Sequence, residues 1–262
     1  MDRTPFHIFG PSHWLAVFLS IAAAAGLVRL LRRCRGDLKV ERAVRITLAA
    51  VLFAAVLADP VITGLRYLPE GSELAWRKVH ETAWPFYLCD WAAVICGLAL
   101  LRRSQVLTEI GWCWGMGGTL QGLVYPTSLS YDLPNPDWFA FFAEHGGVPV
   151  AGMVLVFGLG LRPLPGAMWR AWIALCGYLT AAAVVNLLFI HAGDYPLTNY
   201  GFVCSSDYSP FDILGPWPVY VFGMALVLGL FFAILTTPFC GRAALDPRYI
   251  RLRRGNASGN AA

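Results

Sequence analysis

Charged residues are scarce in this chain of 262 residues. Asp, Glu, Lys and Arg make up 14% of the sequence, whereas hydrophobic residues make up 57%. A soluble domain is normally about one quarter charged, and the mean hydropathy of this chain is +0.57. The shortage of charge excludes an ordinary soluble domain. Several apolar runs reach the roughly 20 residues that a helix needs to cross a bilayer.

Motifs of common soluble enzymes are also missing. The sequence contains no GxSxG, no HExxH, no P-loop and no Gly-rich dinucleotide turn. Its seven cysteines form neither a CxxC pair nor a Cys/His zinc pattern, so neither a metal nor a cofactor is predicted. The alternation typical of a β-barrel and the internal repeats of many transporters are absent. Because the N-terminal region lacks a basic start and a small-residue cleavage site, we expect the first apolar run to be retained.

Seven apolar segments are predicted to span the membrane as helices, because backbone groups in lipid must bond within their own segment. The segments cover residues 14–31, 46–65, 84–101, 106–125, 147–161, 169–190 and 217–235. The predicted fold class is therefore all-α, a polytopic membrane bundle of seven transmembrane helices. Residues 1–240 form one transmembrane domain, and residues 241–262 form a basic, partly disordered tail.

Basic residues predict how the bundle is oriented. Sixteen of the twenty Lys and Arg residues fall on one side of the seven segments, and residues 126–146 and 191–216 contain none. The positive-inside rule places the basic side in the cytoplasm, so the N-terminus lies outside and the C-terminus inside. This distribution accounts for the net charge of +4 without a nucleic-acid partner, since basic residues favour the anionic membrane surface.

Polar residues collect at the opposite, outer side. Twelve of the sixteen acidic residues fall on or near that face. Polar side chains are costly inside a bilayer and usually line a cavity, so we predict one outward-facing, partly wet cavity in the outer leaflet. Residues predicted to bind substrate there are Tyr125, Gln121, Asn186, His191, Asn199, Tyr200 and Trp217.

Within the third segment, WPFYLCDWAAVICGLALL, Cys89 and Asp90 lie side by side about one turn from the start. A cysteine and a histidine that are distant in sequence form a recognised nucleophile and base, which makes Cys89 and His145 the catalytic candidates. Cysteine is also often a plain buried hydrophobe, and Cys204 on the outer loop could be free or paired with Cys89.

Asp90 is predicted to be a structural polar residue rather than the partner of Cys89. Adjacent helix positions point about 100° apart, so we expect Asp90 to bond a neighbouring helix through His80, His13 or Asn186. His13, which opens the first segment from outside, is likewise predicted to be a structural polar residue.

Six stretches in order carry a family resemblance: FGPSHWLAVFL, WPFYLCDWAAVICGLALL, EIGWCWGMGGTLQGLVYP, FFAEHGG, NYGFVC and LGPWPVY. They resemble the YwaF-like integral membrane proteins of bacteria, which group with the transmembrane protein 164 family, over about residues 6–235. The resemblance implies a seven-helix protein of the bacterial cytoplasmic membrane. It also implies acyl transfer between phospholipid and lysophospholipid, or ester hydrolysis, with Cys89 of the LCD motif and His145 of the HG motif carrying the chemistry.

Two positions depart from the family pattern. Tyr87 stands where a histidine is common, and no lysine follows Asn199 and Tyr200. If that lysine binds phosphate in the family, this chain is expected to accept a differently charged head group. The predicted function is a lipid acyltransferase or lipid ester hydrolase using a Cys/His pair in the outer cavity. The alternative is a non-enzymatic protein that binds lipid or a small solute there. The predicted partners are membrane lipids, and the oligomeric state is left open.

Overall fold

A computed structural model describes residues 4–205 and 212–243. Within these ranges the chain forms nine α-helices. They are α1 (Pro11–Arg33), α2 (Leu38–Tyr67), α3 (Ser72–Lys78), α4 (Leu88–Arg102), α5 (Gln105–Trp114), α6 (Leu120–Val124), α7 (Pro136–Met153), α8 (Ala167–His191) and α9 (Val219–Ala243). The predicted disorder of the tail from residue 244 onward lies outside the described residues.

Short helical turns extend or join these elements. Three π-helical turns continue α3, α5 and α7 without a break: Val79–Ala83, Gly115–Thr119 and Val154–Gly158. Three 3-10 turns are Leu68–Glu70, Tyr200–Phe202 and Asp212–Leu214. The described residues contain no β-strand, only one isolated bridge between Pro5 and Tyr131. The all-α prediction is therefore confirmed.

Five helical segments are long and apolar enough to cross a membrane. They are Pro11–Arg33, Leu38–Glu70, Pro136–Gly158, Ala167–His191 and Val219–Cys240. A sixth is Ser72–Ala83 taken together with α4, a pair that bends by 74°. The chain is therefore a polytopic membrane protein with five to six such segments. The predicted segment 106–125 corresponds to one continuous helical stretch from α5 to α6, whose Gly, Thr and Gln residues make it less apolar than the others.

Helix α4 begins later than the sequence suggests. The predicted segment starts at residue 84, but Trp84 to Tyr87 are non-helical and α4 begins at Leu88. Pro85 in this stretch lacks a backbone donor and disfavours helix at the residue before it. Cys89 consequently lies in the first turn of a helix rather than well inside one.

Small residues place α4 at the centre of the bundle. Ala92, Ala93, Cys96 and Ala99 are all fully buried, and α4 packs against α2, α5 and α7. Close packing of membrane helices depends on such residues. A Cβ at Gly111 of α5 would lie only 2.7 Å from the Cys96 sulfur, so a larger residue there would force the two helices apart.

The two ends of the bundle are held by arginines. At one end, Arg66 near the end of α2 forms an ion pair with Asp137 at the start of α7. At the other, Arg45 in α2 donates hydrogen bonds to the carbonyls of Leu100 (2.5 Å) and Leu101 (2.6 Å) near the end of α4. The first end, formed by the end of α2 and the starts of α4 and α7, is called the Cys89 end below. The second is called the arginine end.

Candidate functional site

Cys89, Asp90 and Glu144 converge at the Cys89 end. The Cys89 sulfur and one carboxylate oxygen from each acid all lie within 4.8 Å of one another. The first turn of α4 supplies Cys89 and Asp90, and Glu144 comes from the middle of α7. Asp90 is 6% exposed and Glu144 is 8% exposed, whereas Cys89 is a half-buried free thiol. We call these three residues the Cys89 cluster.

Asp90 has a structural bond at the start of α4. One of its carboxylate oxygens accepts a hydrogen bond from the Tyr87 backbone N–H at 2.8 Å, which satisfies a donor that the helix itself cannot pair. The expected bonds to His80, His13 or Asn186 are not found, because these three residues have other partners in the structure. The 100° separation of adjacent positions does not keep Asp90 away from the Cys89 sulfur, since both lie beside Glu144.

Glu144 carries an unusual buried oxygen. Its Oε1 atom has no hydrogen-bond partner, and leaving a buried polar atom unpaired is costly. Ionisable groups kept at such cost inside a membrane protein usually serve a function. No role for Glu144 was predicted from the sequence. The available signal was an acid beside His145 in the apolar part of α7.

The Cys89 cluster brings a thiol and two carboxyl groups together. A thiolate with two carboxylates is also a ligand set that transition metals accept. Among the described residues it is the one group of His, Cys, Asp and Glu side chains brought this close. The prediction that no metal binds therefore stays a prediction.

His145 follows Glu144 in α7 and has a defined proton position. Its Nδ1 lies 3.1 Å from the Phe141 carbonyl oxygen. Because a carbonyl only accepts, Nδ1 carries the proton, and a neutral imidazole then leaves a lone pair on Nε2. The ring stacks on Phe141 with centroids 4.0 Å apart. His145 is not part of the Cys89 cluster, and Gly122 of α6 packs directly against its ring.

Asn186 and Tyr200 join the loop after α8 to the bundle. The Asn186 side chain donates to the Tyr200 carbonyl (2.9 Å) and accepts from the Tyr200 N–H (2.8 Å). The Tyr200 hydroxyl donates to the His80 carbonyl at 2.7 Å and accepts from the Trp84 N–H at 3.2 Å. Burial raises the pKa of Tyr200, so this hydroxyl stays protonated. Both residues were predicted to bind substrate, and the structure engages their polar groups in bonds within the protein.

Asn199 and Gln121 are engaged similarly. The Asn199 side chain accepts from the Cys204 N–H (3.0 Å) and donates to the Ser205 carbonyl (2.8 Å), which closes its own loop. Gln121 donates to the Gly117 carbonyl one turn earlier at 2.7 Å. Their predicted contacts with substrate stay predictions.

Tyr125, Trp217 and His191 are the exposed members of the predicted binding set. Tyr125 is 58% exposed and Trp217 is 64% exposed, and His191 at the end of α8 is also exposed. Trp217 donates its indole N–H to the Val203 carbonyl at 3.0 Å. Amphipathic rings at span ends are typical of the membrane interface.

His13 is buried and uses both ring nitrogens. Its Nδ1 accepts from the Phe9 N–H at 2.9 Å, which leaves Nε2 to donate to the Leu123 carbonyl at 2.9 Å. This pairing ties the start of α1 to α6.

All seven cysteines, including Cys89 and Cys204, are free thiols.

One of three comparisons with known proteins gave a match, and this match is to a protein family. The profile of the TMEM164 family matches residues 8–236, which are most of the sequence and agree with the resemblance seen in the motifs. The searches of curated proteins and of solved structures gave no match.

Proposed function

Since the chain belongs to the TMEM164 family, we propose that it is a membrane enzyme that transfers or hydrolyses the acyl chains of lipids. Cys89 is the nucleophile and His145 is the proton acceptor in this proposal. The observation that carries it is the half-buried free thiol of Cys89 at the start of the central helix. His145 follows the cluster member Glu144 directly and keeps a free lone pair on Nε2.

The proposal includes seven spans with the N-terminus outside. The continuous helical stretch from α5 to α6 supplies the seventh span, in addition to the bent pair of α3 and α4. An odd number of spans agrees with sixteen of the twenty basic residues lying on one side. This orientation puts the Cys89 end in the outer leaflet.

The acyl transfer can be written in two balanced steps. In the first, the Cys89 sulfur attacks the ester carbonyl carbon, and the thiol proton passes to Nε2 of His145 through one bridging water, because His145 lies outside the Cys89 cluster. The sulfur–carbon bond forms, the ester carbon–oxygen bond breaks, and the proton goes to the departing alcohol oxygen. In the second, water or a lysolipid hydroxyl attacks the thioester carbon and gives its proton to His145. The new carbon–oxygen bond forms, the sulfur–carbon bond breaks, and the proton returns to the Cys89 sulfur as the fatty acid or the acylated lipid leaves.

Hydrogen-bond donors for the developing oxyanion are limited. The amide groups of Asn186 and Asn199 already bond to backbone atoms. The first backbone N–H groups of a helix have no partner within it. Those at the start of α4 therefore support the oxyanion in this proposal, because they are fixed close to the sulfur. The hydroxyl of Tyr125 is a second donor.

Substitution of Cys89 tests the proposal. The protein and its Cys89→Ala variant are reconstituted with a mixed phospholipid and lysophospholipid pool, and acyl exchange and fatty-acid release are followed by mass spectrometry. We expect Cys89→Ala to abolish turnover and Cys176→Ala, which removes another half-buried thiol, to keep it. Full turnover by folded Cys89→Ala would reject the mechanism. Bound intact lipid without any turnover by the wild type would assign the non-enzymatic alternative.

A further inference from the structure

A basic cavity lies at the arginine end, away from the Cys89 cluster. It has a volume of about 570 Å³ and sits between the end of α1 and the end of α7. The residues that line it are Leu31, Arg32, Arg35, Phe157, Gly158, Leu159, Gly160 and Arg162. Phe157 lies thirteen residues after Glu144, roughly 20 Å along the helix axis, so this cavity is a separate site.

Three arginines converge on the cavity from two distant parts of the chain. Arg32 lies in the last turn of α1, Arg35 in the turn that follows α1, and Arg162 in the loop after α7. Over residues 4–205 and 212–243, no carboxylate forms an ion pair with any of the three. The ion pairs found there use Arg45, Arg66, Arg77, Lys78, Arg103 and Arg170. Three exposed cations that line one cavity, none of them paired with a carboxylate in the part of the chain that the structure describes, favour an anionic ligand.

Local backbone structure creates the space between the helices. The π-helical turn after α7 ends with the Leu159 N–H donating to the Val154 carbonyl at 2.8 Å. Gly160 follows with a φ of 73°, a conformation that favours glycine. Gly158 packs so closely on Leu31 that a Cβ there would lie 2.8 Å from its methyl carbon. The chain thus stays close to α1 at Gly158 and turns away immediately afterwards.

The lining combines charge with apolar surface. Leu31, Phe157 and Leu159 supply apolar side chains beside the three guanidinium groups. Arg32 donates from Nε to the Phe157 carbonyl at 3.1 Å, which directs its side chain across the gap between α1 and α7. A phospholipid likewise combines a charged phosphate group with apolar acyl chains, so it can contact both the guanidinium groups and the apolar side chains. A small, fully hydrated anion would use only the charged part of the cavity.

We infer that this cavity binds the phosphate group of an anionic phospholipid in the leaflet that the arginine end faces. Guanidinium groups pair with phosphate oxygens through two parallel N–H bonds, and basic pockets between transmembrane helices hold anionic head groups. The positive-inside rule explains why arginines lie at this end. It does not require three of them to line one cavity, and Arg33 lies outside it.

Binding is measured on the full chain in micelles of a neutral detergent, with a fluorescent short-chain phosphatidylglycerol as the probe. Saturable binding is expected for this probe, and much weaker binding for phosphatidylcholine with the same chains and fluorophore. Each of Arg32→Gln, Arg35→Gln and Arg162→Gln should weaken binding about fivefold. This is the contribution to affinity expected from one basic residue near an anionic lipid surface. Arg33→Gln removes the same charge at a neighbouring exposed position that does not line the cavity, and it should change binding less than about twofold.

Several results would overturn the inference. Equal loss of binding in Arg33→Gln and in the cavity variants would show a general charge effect. Equal affinity for phosphatidylcholine would remove the requirement for an anionic head group. Complete displacement of the probe by a similar concentration of inorganic phosphate would assign the cavity to free phosphate instead of lipid. Thermal unfolding of each variant in the same detergent establishes that it is folded before binding is compared.

Discussion

Replacement of Gly122 by alanine is predicted to inactivate the protein by moving His145. A Cβ at position 122 would lie 2.8 Å from Nε2 of His145 and closer still to Cδ2. Ordinary contacts of a Cβ begin at 3.4 Å. The ring cannot shift freely, because it stacks on Phe141 and its Nδ1 proton is bonded to the Phe141 carbonyl. The added methyl group must therefore displace the imidazole or the backbone of α6.

The size of the effect follows from this displacement. Relief of the contact requires a movement of about 1 Å, and a misplacement of about 1 Å in a catalytic group costs about 100-fold in rate. Alanine is favoured over glycine inside a helix by about 1 kcal/mol, so helix propensity opposes any loss. A fall in activity would then come from the position of His145.

Lipid acyl turnover in reconstituted membranes is the assay. Gly122→Ala should fall to about 1% of the wild-type rate, close to the level of His145→Ala, while maleimide labelling of Cys89 stays unchanged. Gly177→Ala is the matched control, because no atom lies within 4 Å of a Cβ at that position. Its turnover should equal that of the wild type. Wild-type turnover in folded Gly122→Ala, combined with loss in His145→Ala, would refute the link between ring position and activity.

Three further predictions concern the residues around this site. Asn186→Ala leaves the buried N–H and C=O of Tyr200 unpaired and should destabilise the protein by about 2–4 kcal/mol, seen as a lower melting temperature in detergent. Asn186→Asp, which keeps the acceptor, should lose less. Glu144→Gln replaces a carboxyl group beside Cys89 by an uncharged amide. Alkylation of that thiol should be faster in the variant at the alkaline pH values that ionise Glu144, since a thiolate forms more readily without a neighbouring negative charge. Equal rates at every pH would show that the two groups are not coupled. Burial raises the pKa of the Cys204 thiol above its ordinary value of 9.0. The alkylation rate of Cys204 at mildly alkaline pH should therefore be lower than that of the free amino acid cysteine, and the rate should reach its plateau at a higher pH. Identical rate–pH profiles for the two thiols would contradict this prediction.

The sequence predicted the fold class but not the details that shape the site. Composition was sufficient for a polytopic helical protein, because long apolar runs without charge have few other structures available in a membrane. It did not show that α4 begins at Leu88 after a non-helical stretch. That boundary depends on local packing around Pro85, which a hydropathy pattern does not record. The bend of 74° between α3 and α4 was missed for the same reason.

Side-chain direction limited the prediction of the site. Cys89 was identified from its position and from a family motif, and the structure places it at the start of the central helix. The sequence could not decide which of Glu144 and His145 faces α4, because that depends on the rotation of α7 about its axis. It is Glu144 that lies beside the sulfur. Asn186 was taken for a ligand-binding residue because its loop partner Tyr200, fourteen residues away, could not be inferred from pattern.

The most direct test of the central claim is intact-protein mass spectrometry of the reconstituted protein, quenched in acid during lipid turnover. The account predicts a mass increase of one acyl chain, located on the peptide that contains Cys89 and removed by hydroxylamine. Cys89→Ala should show no such adduct. Continuing turnover with Cys89 unmodified, or an adduct confined to another cysteine, would contradict the account.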